Sequence, residues 1–159
     1  MAADTMLAVV KTHPERGVAI TRVDVPRCRP HEVLVHLRAT SVCGTDVHIY
    51  NWDPWAQARL ALPRMLGHEA AGDVVAVGDL VSAETHMPCG HCYQCRTGKP
   101  EVCRHLKILG VDTDGAFAEY LALPEVDAWK NDPTIPLGEF DQAMYLIAHG
   151  ECRKILLLP

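Results

Sequence analysis

Four cysteines with the spacing C-x2-C-x2-C-x7-C are the residues best suited to bind a metal: Cys89, Cys92, Cys95 and Cys103. Each Cys-x2-Cys step turns two thiolates toward one ion, and the longer step lets a loop supply the fourth sulfur. Four sulfur ligands leave no open position on tetrahedral zinc, so the pattern predicts a structural site. A zinc ribbon that binds nucleic acid is the alternative, but this lobe interleaves no aromatic residue except Tyr93 and few basic ones.

A second set of potential zinc ligands lies upstream, at Cys43, His68 and Glu69. One thiolate, one imidazole and at most one carboxylate leave room on zinc for water or a substrate oxygen. Zinc in such a site acts as a Lewis acid and lowers the pKa of a bound alcohol. Gly44, directly after the cysteine, is predicted to allow a tight turn at the end of a strand.

Three polar residues that follow Cys43 fit supporting roles at this open site. Thr45 can pass the alcohol proton to His48, and Asp46 can orient the imidazole of His68. The ordinary alternatives are that a lone cysteine is a small buried hydrophobe and that a Gly-His-Glu tripeptide is a turn. The residues alone leave both interpretations open.

The composition limits the classes of function. A chain of 159 residues with 48% hydrophobic residues predicts one domain, over residues 1–159, with a core of its own. The net charge is −5 and the basic residues are scattered, which disfavours nucleic acid and anionic membranes as partners. Apolar runs fall far short of the roughly 18 residues of a membrane span, and we expect a cytoplasmic protein.

Seven cysteines is an odd number, and the close spacing of four of them suits thiolate coordination in a reducing compartment better than disulfides. Cys28 and Cys152 fall outside both motifs and are interpreted as ordinary thiols.

Hydrophobic periodicity predicts mainly strands over the first four fifths of the chain. Alternation and turn residues place strands at residues 6–11, 18–23, 33–39, 71–77 and 115–123, with one helical turn at residues 56–60. The pattern then becomes helical, with apolar residues at Phe140, Ala143, Met144 and Ile147. Gly150 is placed as a left-handed C-terminal cap after about three turns, and residues 154–158 predict a last buried strand.

Four stretches of the chain carry a resemblance to a known family. They are SVCGTDVHIYNWD at residues 41–53, GHEAAG at residues 67–72, the cysteine lobe at residues 89–103, and ILGVDTDGAFAEY at residues 108–120. Together they resemble the zinc-dependent medium-chain dehydrogenase/reductase family, and in particular its L-threonine 3-dehydrogenase group. The resemblance covers the whole chain.

The resemblance implies a role for each candidate residue. Cys43 and His68 bind the catalytic zinc with Glu69 as the adjacent carboxylate, and Thr45 and His48 serve the proton relay. The lobe of Cys89, Cys92, Cys95 and Cys103 holds structural zinc. His86, three residues before Cys89, matches a histidine that lies near the substrate in threonine dehydrogenases, although a solvated residue at a strand end is the alternative.

The chain departs from the family in two places. Residues 131–136 run directly into residues 137–144, whereas the family has an acidic-Pro segment with a further zinc ligand and a Rossmann domain between the corresponding stretches. Residues 77–81 are a second contraction. No G-x-G-x-x-G fingerprint or P-loop occurs in the sequence. Two such contractions fit either deliberate design or an unusual natural deletion.

The resemblance implies a mainly β fold, a GroES-like partly open β-barrel. We expect a structural-zinc lobe at about residues 86–107, an N-terminal part over residues 1–134, and a C-terminal return helix and strand at residues 135–159. NAD binds in the family to the domain that is missing here, so no appreciable dehydrogenase turnover is expected from the isolated chain. Apolar surface of the former coenzyme cleft should be exposed, and a monomer or weak oligomer is expected.

Three functions follow from these expectations. The first is the catalytic zinc domain of an NAD-dependent alcohol oxidoreductase, which in the family converts L-threonine to 2-amino-3-oxobutanoate. The second is a non-catalytic, zinc-stapled GroES-like scaffold or binding module. Zinc-dependent hydrolysis is the third, and it is disfavoured because only Glu69 or His86 offers a general base. Two zinc ions per chain are expected for the first function and one for the second.

Overall fold

The computed structural model describes residues 4–131, 134–150 and 156–158 of the chain. Its strands are β1 (Thr5–Lys11), β2 (Ala19–Asp24), β3 (Glu32–Ser41), β4 (Arg64–Met65), β5 (Glu69–Val74), β6 (Leu80–Ala83), β7 (His86–Met87), β8 (Lys107–Ile108), β9 (Tyr120–Pro124), β10 (Ala128–Lys130), β11 (Thr134–Pro136) and β12 (Leu156–Leu158). Its α-helices are α1 (Gly44–Asn51), α2 (Pro54–Arg59), α3 (Tyr93–Arg96) and α4 (Phe140–Ala148). Three short 3-10 helices cover Pro100–Val102, Glu125–Asp127 and Leu137–Glu139.

Two antiparallel sheets make the body of the molecule. The larger has the strand order β10-β6-β5-β3-β9 and the smaller the order β2-β1-β4. A bridge between Ala8 and Ala118 connects them, and the Val9 N–H donates to the Phe117 carbonyl at 2.8 Å. The sheets therefore curl into a partly open barrel, as predicted.

Strand β3 is the centre of the larger sheet. Its first half pairs with β9 and its second half with β5, and the register shifts at a bulge between Leu37 and Ala39. Because a bulge bends a strand, β3 can leave one partner and continue along the other. The end of β3 at Ser41 and the start of β5 at Glu69 thus become neighbours, which brings two of the sequence motifs together.

Two apolar clusters fill the interior. One lies inside the barrel and contains Val35, Val74, Val81, Leu109, Ala116, Leu121 and Leu123. The other packs α1 and α2 against the barrel wall and contains Ile49, Ala56, Leu60, Leu66 and Val111. The second cluster fixes the helix that follows Cys43, because Ile49 and Ala56 are fully buried.

The contraction at residues 77–81 closes as a tight turn between β5 and β6. Gly78 adopts a φ of 75°, which favours glycine, and its N–H donates to the Val74 carbonyl at 2.7 Å. The Val74 N–H donates in turn to the Asp79 carbonyl at 2.8 Å. The short connection is therefore compatible with regular pairing of both strands.

The C-terminal helix and strand form a small unit beside the barrel. Strands β11 and β12 are parallel, with α4 as the connection between them. Within α4, the side chain of Ala143 is buried, whereas those of Phe140, Met144 and Ile147 are exposed. Gly150 has the predicted left-handed conformation, with a φ of 70°. Cys152 and Lys154 to Ile155 lie outside the described residues. No helix in the described ranges is long and apolar enough to cross a membrane.

Asp127 is a buried acid whose charge should make stability depend on pH. The residue is 6% exposed, and burial, followed by the nearby Glu84, raises its pKa to about 6. A carboxyl with a raised pKa in the folded state contributes stability while it is protonated, and that contribution is lost as the pH rises from about 4 through 6.

We therefore expect Asp127→Asn to stabilise the fold at pH 7.5, by an amount on the order of 1 kcal/mol, and to do much less at pH 4, near the ordinary pKa of an aspartate. Thermal denaturation of the wild type and the variant at the two pH values measures this difference in stability. Effects of pH that are common to both chains cancel in the comparison. Asp24→Asn, at the exposed end of β2, is the control. A pH-independent difference between the Asp127 variant and the wild type would contradict the expectation.

Candidate metal centres

Cys43 is the N-cap of helix α1. Its Sγ accepts the Thr45 N–H at 3.3 Å, and its own N–H donates to Asp46 Oδ2 at 2.9 Å, so cysteine and aspartate form a reciprocal capping box. The prediction of a tight turn at Gly44 is wrong, because Gly44 is the first residue of the helix. The helix N-terminus thus places the Thr45 backbone N–H beside the sulfur.

The side chain of His68 contacts that of Cys43. Its Nε2 lies 3.0 Å from Cys43 Sγ, and its Nδ1 faces Asp46 Oδ1 at 3.8 Å. His68 is 6% exposed and Asp46 is 5% exposed. Among the described residues, neither His68 Nδ1 nor Asp46 Oδ1 has a hydrogen-bond partner. Two buried polar atoms without partners are costly, so this arrangement needs an explanation.

A bound cation explains the arrangement. When Nδ1 carries the proton toward the Asp46 carboxylate, the lone pair of His68 Nε2 points at the Cys43 sulfur. A Cys43 thiol would donate its S–H to this lone pair at 3.0 Å, whereas a Cys43 thiolate would need a positive ion beside both atoms. An acid behind a ligating histidine is the usual support for zinc, and it fixes the tautomer of the ring. The residues therefore fit a zinc ion held by Cys43 and His68.

Glu69 lies close to this pair. One ligand atom from each of Cys43, His68 and Glu69 lies within 4.8 Å of the other two. Glu69 is exposed and its carboxylate accepts a hydrogen bond from the Ser41 hydroxyl at the end of β3. Among the described residues, three protein ligands converge here, which leaves room for a further ligand on a tetrahedral metal.

The segment that carries His68 is held by contacts that the sequence did not predict. Thr85 Oγ1 donates to the His68 carbonyl at 2.8 Å, and the Ala116 N–H donates to the Gly67 carbonyl at 2.9 Å. A threonine before a histidine carries no sequence signal for this role.

Thr45 and His48 lie three residues apart on α1, where side chains share a helix face. His48 is exposed and its Nδ1 bonds Asp53 Oδ2. Sequence reasoning did not identify Asp53 as a functional residue, although Asp-Pro at positions 53–54 is a typical start of a helix. The N–H of Ala56 and then the His48 ring hold the pKa of Asp53 below its ordinary value, which keeps the carboxylate charged.

Within the part of the chain that the structure describes, His86 is not among the residues whose ligand atoms converge on Cys43. Its exposed side chain lines a cavity of about 510 Å³ together with Glu84, Asp127 and Trp129. Thr85, between Glu84 and His86, is the residue that bonds the His68 carbonyl. The role of His86 near a substrate therefore stays a prediction.

The four-cysteine cluster is assembled as expected. Its ligand atoms all lie within 4.8 Å of one another. Cys92 Sγ is 3.5 Å from Cys95 Sγ and 3.8 Å from Cys103 Sγ. Tetrahedral zinc with Zn–S bonds of about 2.3 Å requires sulfurs about 3.8 Å apart, so the spacing fits one zinc ion. The lobe projects from the short β7–β8 pair.

The thiols of this cluster have opposed pKa shifts. The Cys95 N–H lowers the pKa of Cys92 to about 6, whereas burial and the hydrogen bond to Cys92 raise the pKa of Cys95 to about 12. Close thiols without a compensating charge cannot all ionise, and a dication removes that restriction. The donor set therefore fits zinc, as a closed site without an open position.

The fold and the two donor sets define the class of protein. The alcohol dehydrogenase GroES-like domain family matches residues 29–133, and the chain belongs to this family. The predicted GroES-like fold and the resemblance to zinc-dependent alcohol dehydrogenases are confirmed.

Individual relatives narrow the comparison. The chain is 50% identical over 143 residues to an L-threonine 3-dehydrogenase from Pyrococcus furiosus, covering 84% of this chain and 41% of that protein. It is 52% identical over 141 residues to one from Caldanaerobacter subterraneus subsp. tengcongensis, covering 83% and 41%. The alcohol dehydrogenase TADH from Thermus sp. ATN1 has a similar structure, with a TM-score of 0.69 and 34% identity over 80% of this chain and 40% of that one.

The chain thus spans about 41% of the length of these threonine dehydrogenases. It is a threonine-dehydrogenase-like GroES domain of the zinc alcohol dehydrogenases.

Proposed function

We propose that this chain is the zinc-binding catalytic part of an NAD-dependent oxidoreductase that acts on a small amino alcohol of the L-threonine type. The observation that carries the proposal is the approach of Cys43 Sγ to His68 Nε2 at 3.0 Å, in front of the buried Asp46. A scaffold would have no need to keep Asp46 Oδ1 and His68 Nδ1 buried and without hydrogen-bond partners, because such atoms cost stability.

The chain's own residues supply binding and proton transfer. Cys43, His68 and Glu69 hold the zinc, and Asp46 keeps His68 in the tautomer that leaves Nε2 as a ligand. Bound there, zinc supplies Lewis acidity that lowers the pKa of an alcohol hydroxyl. The Thr45 hydroxyl takes the proton from the alcohol and passes it toward His48 on the same face of α1.

A small polar substrate fits the space beside this site. A cavity of about 400 Å³ adjoins Glu69 and is lined by hydroxyl and methyl groups, among them Ser41, Ser82 and Thr85. Small side chains leave room for a compact amino alcohol. The 50% identity to threonine dehydrogenases supports L-threonine as the first substrate to test.

Hydride transfer also needs a nicotinamide coenzyme. The sequence contains no G-x-G-x-x-G fingerprint, so the coenzyme domain must come from outside these 159 residues. We expect no steady NADH formation from threonine by this chain alone. NADH formation that Cys43→Ala abolishes would contradict that expectation and would still support the assigned zinc site.

Zinc content tests the proposed site directly. Elemental analysis of the folded chain should find about two zinc ions, and Cys43→Ala should reduce this to about one, since the thiolate is lost and the four-cysteine site is untouched. Cys28→Ala is the matched control, because Cys28 is an exposed cysteine outside both donor sets. It should leave both ions in place.

One zinc in both the wild type and Cys43→Ala would favour the second candidate function, a non-catalytic scaffold held together by its structural zinc. The exposed apolar residues of α4 are the observation that favours a binding role of this kind.

A further inference from the structure

Lys11, the last residue of β1, is a lysine with 0% of its surface exposed. Its Nζ donates to three backbone carbonyls: Glu15, Gly17 at 2.8 Å and Tyr50 at 3.4 Å. Lysines are almost never fully buried unless they are paired. Here the ammonium binds the turn between β1 and β2 on one side and the last turn of α1 on the other.

The place where Lys11 meets α1 is the negative end of the helix. Tyr50 is near the C-terminus of α1, and its carbonyl also accepts the Gly17 N–H at 2.8 Å. Carbonyls at a helix C-terminus lack partners within the helix and carry partial negative charge, so a buried cation there is stabilised. Lys11 therefore fixes the end of the helix that carries Thr45 and His48.

Trp52 is the C-cap of α1 and has an unusual backbone. Its φ of 54° and ψ of 47° are left-handed, which is strained for a bulky residue. The Lys11 ammonium lies 5.2 Å from the centre of the Trp52 ring, within the range of a cation–π contact. The same lysine thus holds both the helix end and the side chain of the strained residue.

The reversal at Trp52 directs Asp53 back to the helix. Asp53 Oδ1 accepts the Ala56 N–H at 3.0 Å and caps α2, while Oδ2 binds His48 Nδ1. The Asp53 N–H also donates to the His48 carbonyl at 3.3 Å. A carboxylate only accepts hydrogen bonds, so His48 must carry a proton on Nδ1, and in the neutral ring this leaves the lone pair on Nε2.

We propose that Asp53, and through Trp52 the buried Lys11, are positioning residues that hold His48 in the Nδ1–H tautomer with Nε2 as the proton acceptor. The role of His48 in proton transfer rests on the proposed function. The tautomer of His48 and its dependence on Lys11 do not rest on the proposed function. A left-handed tryptophan persists where its surroundings impose it, and here the lysine imposes it.

The tautomer of His48 is measurable in the zinc-loaded chain by long-range proton–nitrogen NMR of its imidazoles, with His48→Gln to assign the signals. The wild type should show the Nδ1–H form. Asp53→Asn retains an oxygen for the Ala56 N–H but offers an amide donor to Nδ1, so the ring should switch to the Nε2–H form. An unchanged ring in this variant would refute the proposal.

Lys11→Met tests the more distant contribution. Because the lost hydrogen bonds are charge-assisted, we expect the tautomer ratio of His48 to drop by about tenfold. Lys107→Met, at an exposed position of β8, is the control and should leave the ratio unchanged. A folded Lys11→Met chain with the wild-type ratio would remove Lys11 from the proposal.

A second pair of variants decides the role of Lys11 and Trp52 if Lys11→Met does not fold. Trp52→Gly accepts the left-handed conformation without strain and should keep the wild-type tautomer, whereas Trp52→Ala should lose it. Equal ratios in these two variants would contradict the proposal. Neither substrate nor coenzyme enters any of these measurements, so a chain that binds one zinc ion instead of two would refute the proposed function and leave this assignment standing.

Discussion

Replacing Cys103 by serine should unfold the cysteine lobe while the barrel stays folded. Between Pro88 and Lys107, a stretch that the structure describes completely, no residue other than a cysteine is buried, and neither apolar cluster includes a residue of the lobe. The lobe has no core of its own, so we expect its order to depend on a bound metal. Structural zinc contributes on the order of 10 kcal/mol to such sites.

Hydrogen exchange with mass spectrometry measures this outcome. Backbone amides of residues 89–106 should lose their protection in Cys103→Ser, and elemental analysis should show one zinc fewer. The amides of β3 and β5 serve as an internal reference, because both strands belong to the larger sheet. Cys28→Ser is the control variant. Protection of the lobe equal to that of the wild type would show that something other than zinc orders it.

The regular strands could be predicted because their side chains alternate. Strands predicted at residues 6–11, 18–23 and 33–39 correspond to β1, β2 and β3, with ends that differ by one or two residues. Cysteine spacing was equally direct, since one local loop brings all four sulfurs together. Local spacing determines both features, and for that reason they can be predicted without knowledge of the tertiary structure.

Features that depend on distant contacts were missed. The strand predicted at residues 115–123 begins only at Tyr120, because residues 115–117 bond to the backbone of residues 65–67 instead of to a regular ladder. The polar end of β1 gave no sign that Lys11 is buried, since its carbonyl partners come from the next turn and from α1. Helix α1, which begins at Gly44, was not predicted from the sequence, because its N-cap is a cysteine rather than a serine or threonine.

The crossing of residues 65–67 with residues 110–117 also explains how His68 is aimed. A Cβ on Gly115 would lie 2.2 Å from the Gly67 carbonyl oxygen and 2.6 Å from the Leu66 carbonyl oxygen. Gly110 and Gly67 are equally crowded but also have positive φ, so a side chain there would be strained for two reasons. Gly115 isolates the steric effect, because its backbone conformation is open to alanine.

Gly115→Ala should therefore push Gly67 and the adjoining His68 away from Cys43, since a backbone oxygen cannot yield as a flexible side chain does. We expect the loss of about one zinc ion per chain and a destabilisation of about 3 kcal/mol or more. Elemental analysis and thermal denaturation measure the two effects. Gly138→Ala, where an added Cβ meets no atom within 4 Å, is the matched control and should bind two zinc ions. A Gly115→Ala chain with two zinc ions and wild-type stability would show that this crossing does not set the position of His68. Loss of stability with both ions retained would show that the crossing stabilises the fold but does not set the position of His68.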